Sequence, residues 1–260
     1  MQDVKSYWLN RNSRANIAKQ HTKEMAERYA EEIQHSVETT VEYNEFNLFR
    51  SPSPKFPTTI IEVKDTDSVS AIISETAGEK LAVLNFASYK EPGGRFIDGS
   101  SAQEESLCHE SFLYNVLSQF KEYYANNCKA KNKALYKNRA LYSKDIIFVK
   151  DGREQKCDVL TCAAPNITAG REYCNVSDVL NTKELTSRCD FVLDILAEQN
   201  AETIILGAYG CGVFGQSPEE VAGIFKNLLT TKYQNAFKKV VFAIPNGKNG
   251  NYDAFKKIFA

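Results

Sequence analysis

Short apolar runs alternate with longer stretches of 3.6-residue periodicity along most of this chain. Thr59-Ile60-Ile61-Glu62-Val63, Leu81-Ala82-Val83-Leu84-Asn85-Phe86, Ile146-Ile147-Phe148-Val149, Val159-Leu160-Thr161-Cys162, Ile204-Ile205-Leu206 and Val240-Val241-Phe242-Ala243-Ile244 read as strands. Such brief, nearly continuous apolar segments fit strands covered on both faces. Between them the pattern predicts helices over 13–35, 68–76, 103–120, 181–198, 217–229 and 253–259. The third carries Leu107, Phe112, Leu113, Val116 and Leu117 at helical spacing. Asp67 is placed to cap the second, and Ser217-Pro218-Glu219-Glu220 opens the fifth with an N-cap Ser, Pro at N1 and a Glu completing a capping box. Strands alternating with helices predict a layered α/β sandwich. No repeat or composition break divides the chain, so residues 1–260 are read as one domain. Its first 57 residues form a helical extension ending in the loop Ser51-Pro52-Ser53-Pro54 with Pro57, where proline denies ladder donors and helix alike. Residues 121–139, with Lys121, Lys129, Lys131, Lys133, Lys137 and Arg139, read as a solvated helical or loop insertion.

Composition narrows the picture. The chain is 43% apolar and 25% charged, with 32 Lys+Arg against 33 Asp+Glu, an ordinary globular balance. A net charge of −1 argues against a dedicated nucleic-acid binder. No apolar run approaches the roughly 18 residues that span a bilayer, and residues 1–10 lack the order of a secretory signal. Seven cysteines (Cys108, Cys128, Cys157, Cys162, Cys174, Cys189 and Cys211), with no Cys-x-x-Cys among them, suit a reduced, cytoplasmic protein. Asn166-Ile167-Thr168 and Asn175-Val176-Ser177 are then chance glycosylation matches. The irregular cysteine spacing and three histidines give no zinc pattern, so no metal and no cofactor are expected. His21 and His35 fall on the exposed N-terminal helix, which leaves His109 for a site.

Glycine is scarce, 13 in 260, yet seven cluster in two stretches: Gly93, Gly94 and Gly99, then Gly207, Gly210, Gly212 and Gly215. Gly210-Cys211-Gly212-Val213-Phe214-Gly215 follows a strand, precedes a capped helix and matches G-x-G-x-x-G. Backbone N–H groups in such a loop, with the helix dipole behind them, suit a diphosphate. A plain strand-to-helix turn explains the glycines too. A nicotinamide site is disfavoured, because 234–244 holds no acid for the ribose and only 45 residues follow Gly215. Beside the first cluster, Ser101-x-x-Glu104 has capping-box spacing, which gives Glu104 a structural reading. Glu105 has no such account beyond a favourable first-turn charge. Consecutive helical residues point about 100° apart, so this pair is not the facing dyad of an ordinary glycosidase. Spacing alone leaves the site undecided.

Asn85-Phe86-Ala87-Ser88, Pro92-Gly93-Gly94 and Gln103-Glu104-Glu105-Ser106-Leu107-Cys108 resemble the signature of the microbial-type poly(ADP-ribose) glycohydrolases, in which a glycine triplet precedes Gln-Glu-Glu. Seven residues, Phe96 to Ala102, separate the two parts here, and Arg95 stands at the third glycine position. Gly207 to Gly215 resembles the family's second diphosphate loop, and the likeness spans about residues 10–259. The resemblance implies a three-layer α/β/α macrodomain-like sandwich with a mixed central sheet. It implies a metal-independent glycosidase that releases ADP-ribose from poly(ADP-ribose), with Glu105 as the catalytic carboxylate and Glu104 orienting the ribose or the leaving 2′-oxygen. Gly93, Gly94, Gly210, Cys211, Gly212, Val213 and Phe214 would wrap the diphosphate through main-chain N–H groups, with Gln103 and Gly215 beside them. Phe214 would pack on the ribose, Asn85 would bond the distal ribose, and Arg95 is placed to contact phosphate. All seven clustered glycines would then line one ligand.

Two rival readings share these residues. Cys211 misses the G-x-C-x-G nucleophile elbow, because Tyr209 and Val213 occupy its outer positions. A macrodomain that binds ADP-ribose without cleaving it would need the loops but not Glu105. The substrate is poly(ADP-ribose), or alternatively a mono-ADP-ribosylated protein or nucleic acid, and the chain is read as a monomer with no membrane partner.

Overall fold

The computed structural model describes residues 10–75 and 79–260. Residues 1–9, where no secretory signal is read, and Thr76 at the end of the 68–76 helix lie outside the described residues. One seven-stranded mixed sheet organises the fold: β1 (Val41–Tyr43), β2 (Ile60–Lys64), β3 (Leu81–Phe86), β4 (Ala140–Lys150), β5 (Arg153–Cys162), β6 (Thr203–Leu206) and β7 (Lys239–Ala243), in spatial order β1-β4-β5-β3-β6-β7-β2. β4 is antiparallel to β1 and β5; the remaining pairs are parallel. Alternation along each buried strand feeds two cores. Ala82, Leu84, Ile204, Leu206, Val240 and Phe242 pack under α8 (Asp178–Glu198), α9 (Pro218–Thr230) and α10 (Asn251–Phe259). Leu81, Val83, Val159, Ile205 and Val241 face α1 (Arg11–Arg28), α3 (Ser68–Ser74), α4 (Gln103–His109), α5 (Leu113–Leu117) and α6 (Lys121–Lys129), and α7 (Ile167–Cys174) follows β5. The layers are therefore helix, sheet, helix, as the sequence implied.

The differences have local causes. The 13–35 helix is two helices, α1 and α2 (Ala30–Thr39), and β1 after them joins the sheet edge on β4. The 103–120 helix breaks into α4 and α5 because the intervening backbone pairs with β4: Val149 N–H donates to Glu110 O at 2.7 Å and Ser111 bridges Phe148. Residues 121–139 are no solvated insertion. Tyr123, Tyr124, Asn127, Leu135 and Tyr136 are buried, while the lysines reach solvent together with Glu122, Ala125 and Cys128. Asp67 caps α3 as expected, its carboxylate accepting the Ser70 N–H at 2.8 Å. At α9, Ser217 Oγ accepts the Glu220 N–H, but the Glu220 carboxylate turns to Thr182 Oγ1, so the capping box is only half formed.

What positions the site is the pairing of β3 with β5 and β6, all parallel. The loops leaving Phe86, Cys162 and Leu206 emerge side by side at the same edge. Open α/β sheets bind ligands at such strand ends.

Candidate active site

Gln103 opens α4 and fastens it to the end of β3. Its Oε1 accepts the Phe86 N–H at 2.8 Å, and its Nε2 donates to Leu84 O at 3.0 Å and Ser68 Oγ at 3.1 Å. Gln103, expected at the substrate, instead spends both ends of its amide on the protein. That anchor fixes the rotation of α4, and the next two side chains follow from it. Glu104 turns to the strand end. Its carboxyl accepts Ser88 N–H at 2.6 Å and Asn85 Nδ2 at 3.2 Å, so it is not the N3 partner of Ser101; Ala102 is the N-cap. Glu105 turns to the glycine loop and accepts the Arg95 N–H at 3.1 Å. Both carboxyls are buried.

Gly94 lies against the pair. Its φ is +62°, and a Cβ there would stand 2.8 Å from Glu105 Oε1 and 3.0 Å from Glu104 Oε2. Burial pushes the Glu104 pKa up to about 8, against the pull of the Ser88, Asn85 and Gly93 hydrogen bonds and with a further push from the Glu105 charge. Glu104 therefore carries a proton at neutral pH. Asn85 Oδ1, fully buried, has no protein partner among the described residues. It remains open to a hydroxyl donor.

A stability consequence follows from the Glu104 proton. Between the ordinary carboxyl value of 4.5 and about 8 the folded state holds a proton that the unfolded chain has lost. Stability therefore falls as pH rises through that window. Glu104→Gln removes the titration, and Asn85 Oδ1 can accept the new amide if the Asn85 side chain turns over. Urea unfolding should show the variant gaining on the wild type by on the order of 3–5 kcal/mol from pH 5 to pH 8.5. A difference that stays constant across that range would mean Glu104 is not protonated.

The two loops divide the work that the sequence assigned to both. In the first, the Gly93 N–H is drawn to the Glu104 carboxyl, the Gly94 N–H donates to Glu91 O at 3.1 Å and the Arg95 N–H serves Glu105. Gly94 therefore shapes the carboxyl pair, and its own N–H closes a turn. Gly99, with φ +75°, lies beneath the first turn of α1, and Arg14 Nε donates to its carbonyl at 2.7 Å. The Arg95 side chain points to solvent and pairs with Asp98 at 3.1 Å, clear of the carboxyls, and its φ of −117° accepts any residue.

In the second loop, Cys211 N–H donates to Ala208 O and Gly215 N–H to Gly212 O, closing turns. The N–H groups of Gly210, Gly212, Val213 and Phe214 have no acceptor among the described residues. Four unengaged amides in one turn form an anion cradle. The helix dipole adds less than expected, since Glu219 and Glu220 already occupy the first turn of α9. Phe214 is half-buried against Tyr136, with ring centroids 6.0 Å apart, and Tyr136 stacks on Tyr89 at 4.3 Å. Tyr89, Tyr136 and Thr161, which accepts from Asn85 at 3.2 Å, are site-wall residues that no motif marked.

The other titratable groups stay outside the chemistry. Burial raises the Cys211 thiol to about 12, and His109 packs on Phe96 and His21, below the first loop. A Cys–His pair does not form. His21, expected at the surface, is half-buried and hydrogen-bonded to Ser111 O at 2.9 Å. Cys128 is exposed and Cys174 half-buried, while Cys108, Cys157, Cys162 and Cys189 are buried as expected of small apolar residues. Among the described residues no group of three or more His, Cys, Asp or Glu is arranged to hold a metal ion, and no helix is long and apolar enough to cross a membrane.

Fold and site define an α/β/α sandwich that sets a buried carboxyl pair beside an amide-lined anion cradle at parallel strand ends. Residues 6–151 match the microbial-type PARG catalytic domain, and the chain belongs to that poly(ADP-ribose) glycohydrolase family. The poly(ADP-ribose) glycohydrolase from Thermomonospora curvata is 30% identical over 95% of this chain and 100% of its own, with a TM-score of 0.86. The same enzyme bound to the inhibitor ADP-HPD is 29% identical over 95% and 99%, with a TM-score of 0.82. The poly(ADP-ribose) glycohydrolase from Deinococcus radiodurans, in complex with ADP-ribose, is 31% identical over 87% and 96%, with a TM-score of 0.78. No curated protein matches the sequence. The family match ends at 151, before the second loop.

Proposed function

We propose that the chain hydrolyses the ribose–ribose O-glycosidic bond of poly(ADP-ribose), with Glu105 as general acid and base. The observation that carries this reading is the pair Glu104 and Glu105, buried against Gly94 at the end of β3, with the four free amides of the second loop following the neighbouring strand β6. The amides take the diphosphate and so fix the distal ribose over the carboxyls. Asn85 Oδ1 and the protonated Glu104 meet its hydroxyls, one accepting and one donating. Glu105 takes up a proton from solvent as the anionic diphosphate closes the cleft, and gives it to the leaving 2′-oxygen as the C1″–O bond breaks through an oxocarbenium-like transition state. Its carboxylate then takes a proton from the water whose oxygen bonds to C1″. The sum is addition of one water and release of ADP-ribose. Gln103 acts as a positioning residue, since its amide sets the rotation of both glutamates.

A polymer rather than a single ADP-ribose is favoured by the rim. Lys129, Lys131 and Lys133 are exposed without a carboxylate partner among the described residues, whereas Lys137 and Arg139 pair with Glu42 and Glu45. Tyr136 ties this segment to Phe214. Wild-type protein should release ADP-ribose from poly-ADP-ribosylated protein faster than from a mono-ADP-ribosylated one. Charge reversal of the three lysines should raise KM for the polymer about tenfold and flatten its salt dependence, leaving the affinity for free ADP-ribose alone. Equal rates on the two wild-type substrates would support a mono-ADP-ribosyl hydrolase, and binding without release from either would support a reader.

A further inference from the structure

Arg188 is fully buried in the middle of α8. Its Nε donates to Asn138 Oδ1 at 2.7 Å, its Nη1 to Ala163 O, and its Nη2 to Leu135 O at 3.4 Å. Every one of these acceptors is neutral, and no carboxylate lies within ion-pair distance among the described residues. A guanidinium stays charged under all ordinary conditions, so the cation is satisfied in hydrogen bonds but uncompensated in charge. Buried charges without a counter-charge are costly and rare.

Its position explains what could offset it. Arg188 also contacts Tyr209, a residue of the second loop whose hydroxyl donates to Cys162 O at 2.9 Å. Ala164, next to Ala163, lies where a Cβ on Gly210 would stand 2.8 Å away. Arg188 thus sits one residue layer behind the amides of the anion cradle. Its other grip, on Leu135, falls inside the segment where Asn132, Lys133, Ala134 and Tyr136 all have positive φ, from 42° to 66°. Left-handed conformations in non-glycine residues cost roughly 1–2 kcal/mol each and persist only where neighbours enforce them. The same segment presents Tyr136 to Phe214.

We infer that Arg188 is a positioning residue whose buried charge is the fixed counter-ion of the substrate diphosphate, acting through the second loop. This rests on the diphosphate reading of that loop. Because the cation lies in the interior, solvent and salt screen it little. It draws the diphosphate in both ground and transition states, so it acts on binding and not on the chemical step.

Asn138→Asp is the discriminating variant. It keeps the acceptor on Arg188 Nε and supplies the missing carboxylate, which makes a buried ion pair without removing any side chain that reaches the site. A merely structural Arg188 gives an enzyme that is more stable and binds as before. The inference expects a melting temperature equal to or above the wild type, an ADP-ribose Kd and a KM each raised by on the order of tenfold, and an unchanged kcat. Arg188→Lys should show the opposite pattern, a lower melting temperature with most of the affinity retained, because the charge stays and the fork is lost. An Asn138→Asp protein that folds and binds ADP-ribose as tightly as wild type overturns the inference. Wild-type protein that fails to bind ADP-ribose overturns the site reading itself.

Discussion

Glu105→Gln is expected to lower kcat on poly(ADP-ribose) by about 10²–10⁴, the usual range for losing a general acid and base. ADP-ribose should still bind within about threefold of wild type. The amide can keep its Oε1 on the Arg95 N–H, so the loop and the helix start have no reason to move. Glu105 makes no other hydrogen bond among the described residues, so the change removes its proton transfer and its charge but no anchoring contact. Rate of ADP-ribose release and calorimetric binding, measured on the same preparation, separate the two effects. Near-normal turnover in the Glu105→Gln variant would sink the acid–base role and return attention to Glu104, the carboxyl that holds its proton.

Gly94→Ala should be nearly as damaging for a different reason. The methyl would enter a position 2.8 Å from Glu105 Oε1 and 3.0 Å from Glu104 Oε2, on a backbone with φ +62°. Strain of about 1–2 kcal/mol is the smaller part. The larger is that both carboxyls must shift, and they are held by Ser88, Asn85 and Arg95, so activity should fall by about 10² or more. Gly212→Ala is the control for folding: nothing lies within 4 Å of its Cβ position and its φ is not left-handed. Its melting temperature should match wild type while that of Gly94→Ala drops. Full activity in folded Gly94→Ala would show that the carboxyl geometry is less constrained than these contacts require.

Much of the architecture was legible because buried strands announce themselves. Leu81–Phe86 falls where the apolar run placed it, and strong caps such as Asp67 and Ser217 marked their helices. The break at Glu110–Phe112 was not legible, because the competing partner, β4, is 37 residues away in sequence from Ser111 to Phe148. Val41–Tyr43 was too short to distinguish from loop. In the site, glycine density located both loops but not their division of labour. Whether an N–H stays free or meets a neighbouring carbonyl or carboxyl depends on hydrogen bonds that no spacing encodes, as Gly94 and Arg95 show. Arg188 did leave a trace: it interrupts the apolar stripe Leu185, Cys189, Val192 of α8, and an arginine there must find buried partners.

The grip of α1 on Gly99 has a consequence for where the working unit starts. Arg11 Nε donates to Asp98 O at 2.9 Å and Arg14 Nε to Gly99 O, so the helix start clamps the turn that carries Arg95, whose N–H in turn steadies Glu105. The same helix buries Ala18 and Met25 against the face of the sheet that carries Leu81 and Val83. A version trimmed back to its first strand would therefore lose its two leading helices, open one side of its interior and set its reacting carboxyl adrift. Fold and machinery share one brace, and neither can be shortened without the other.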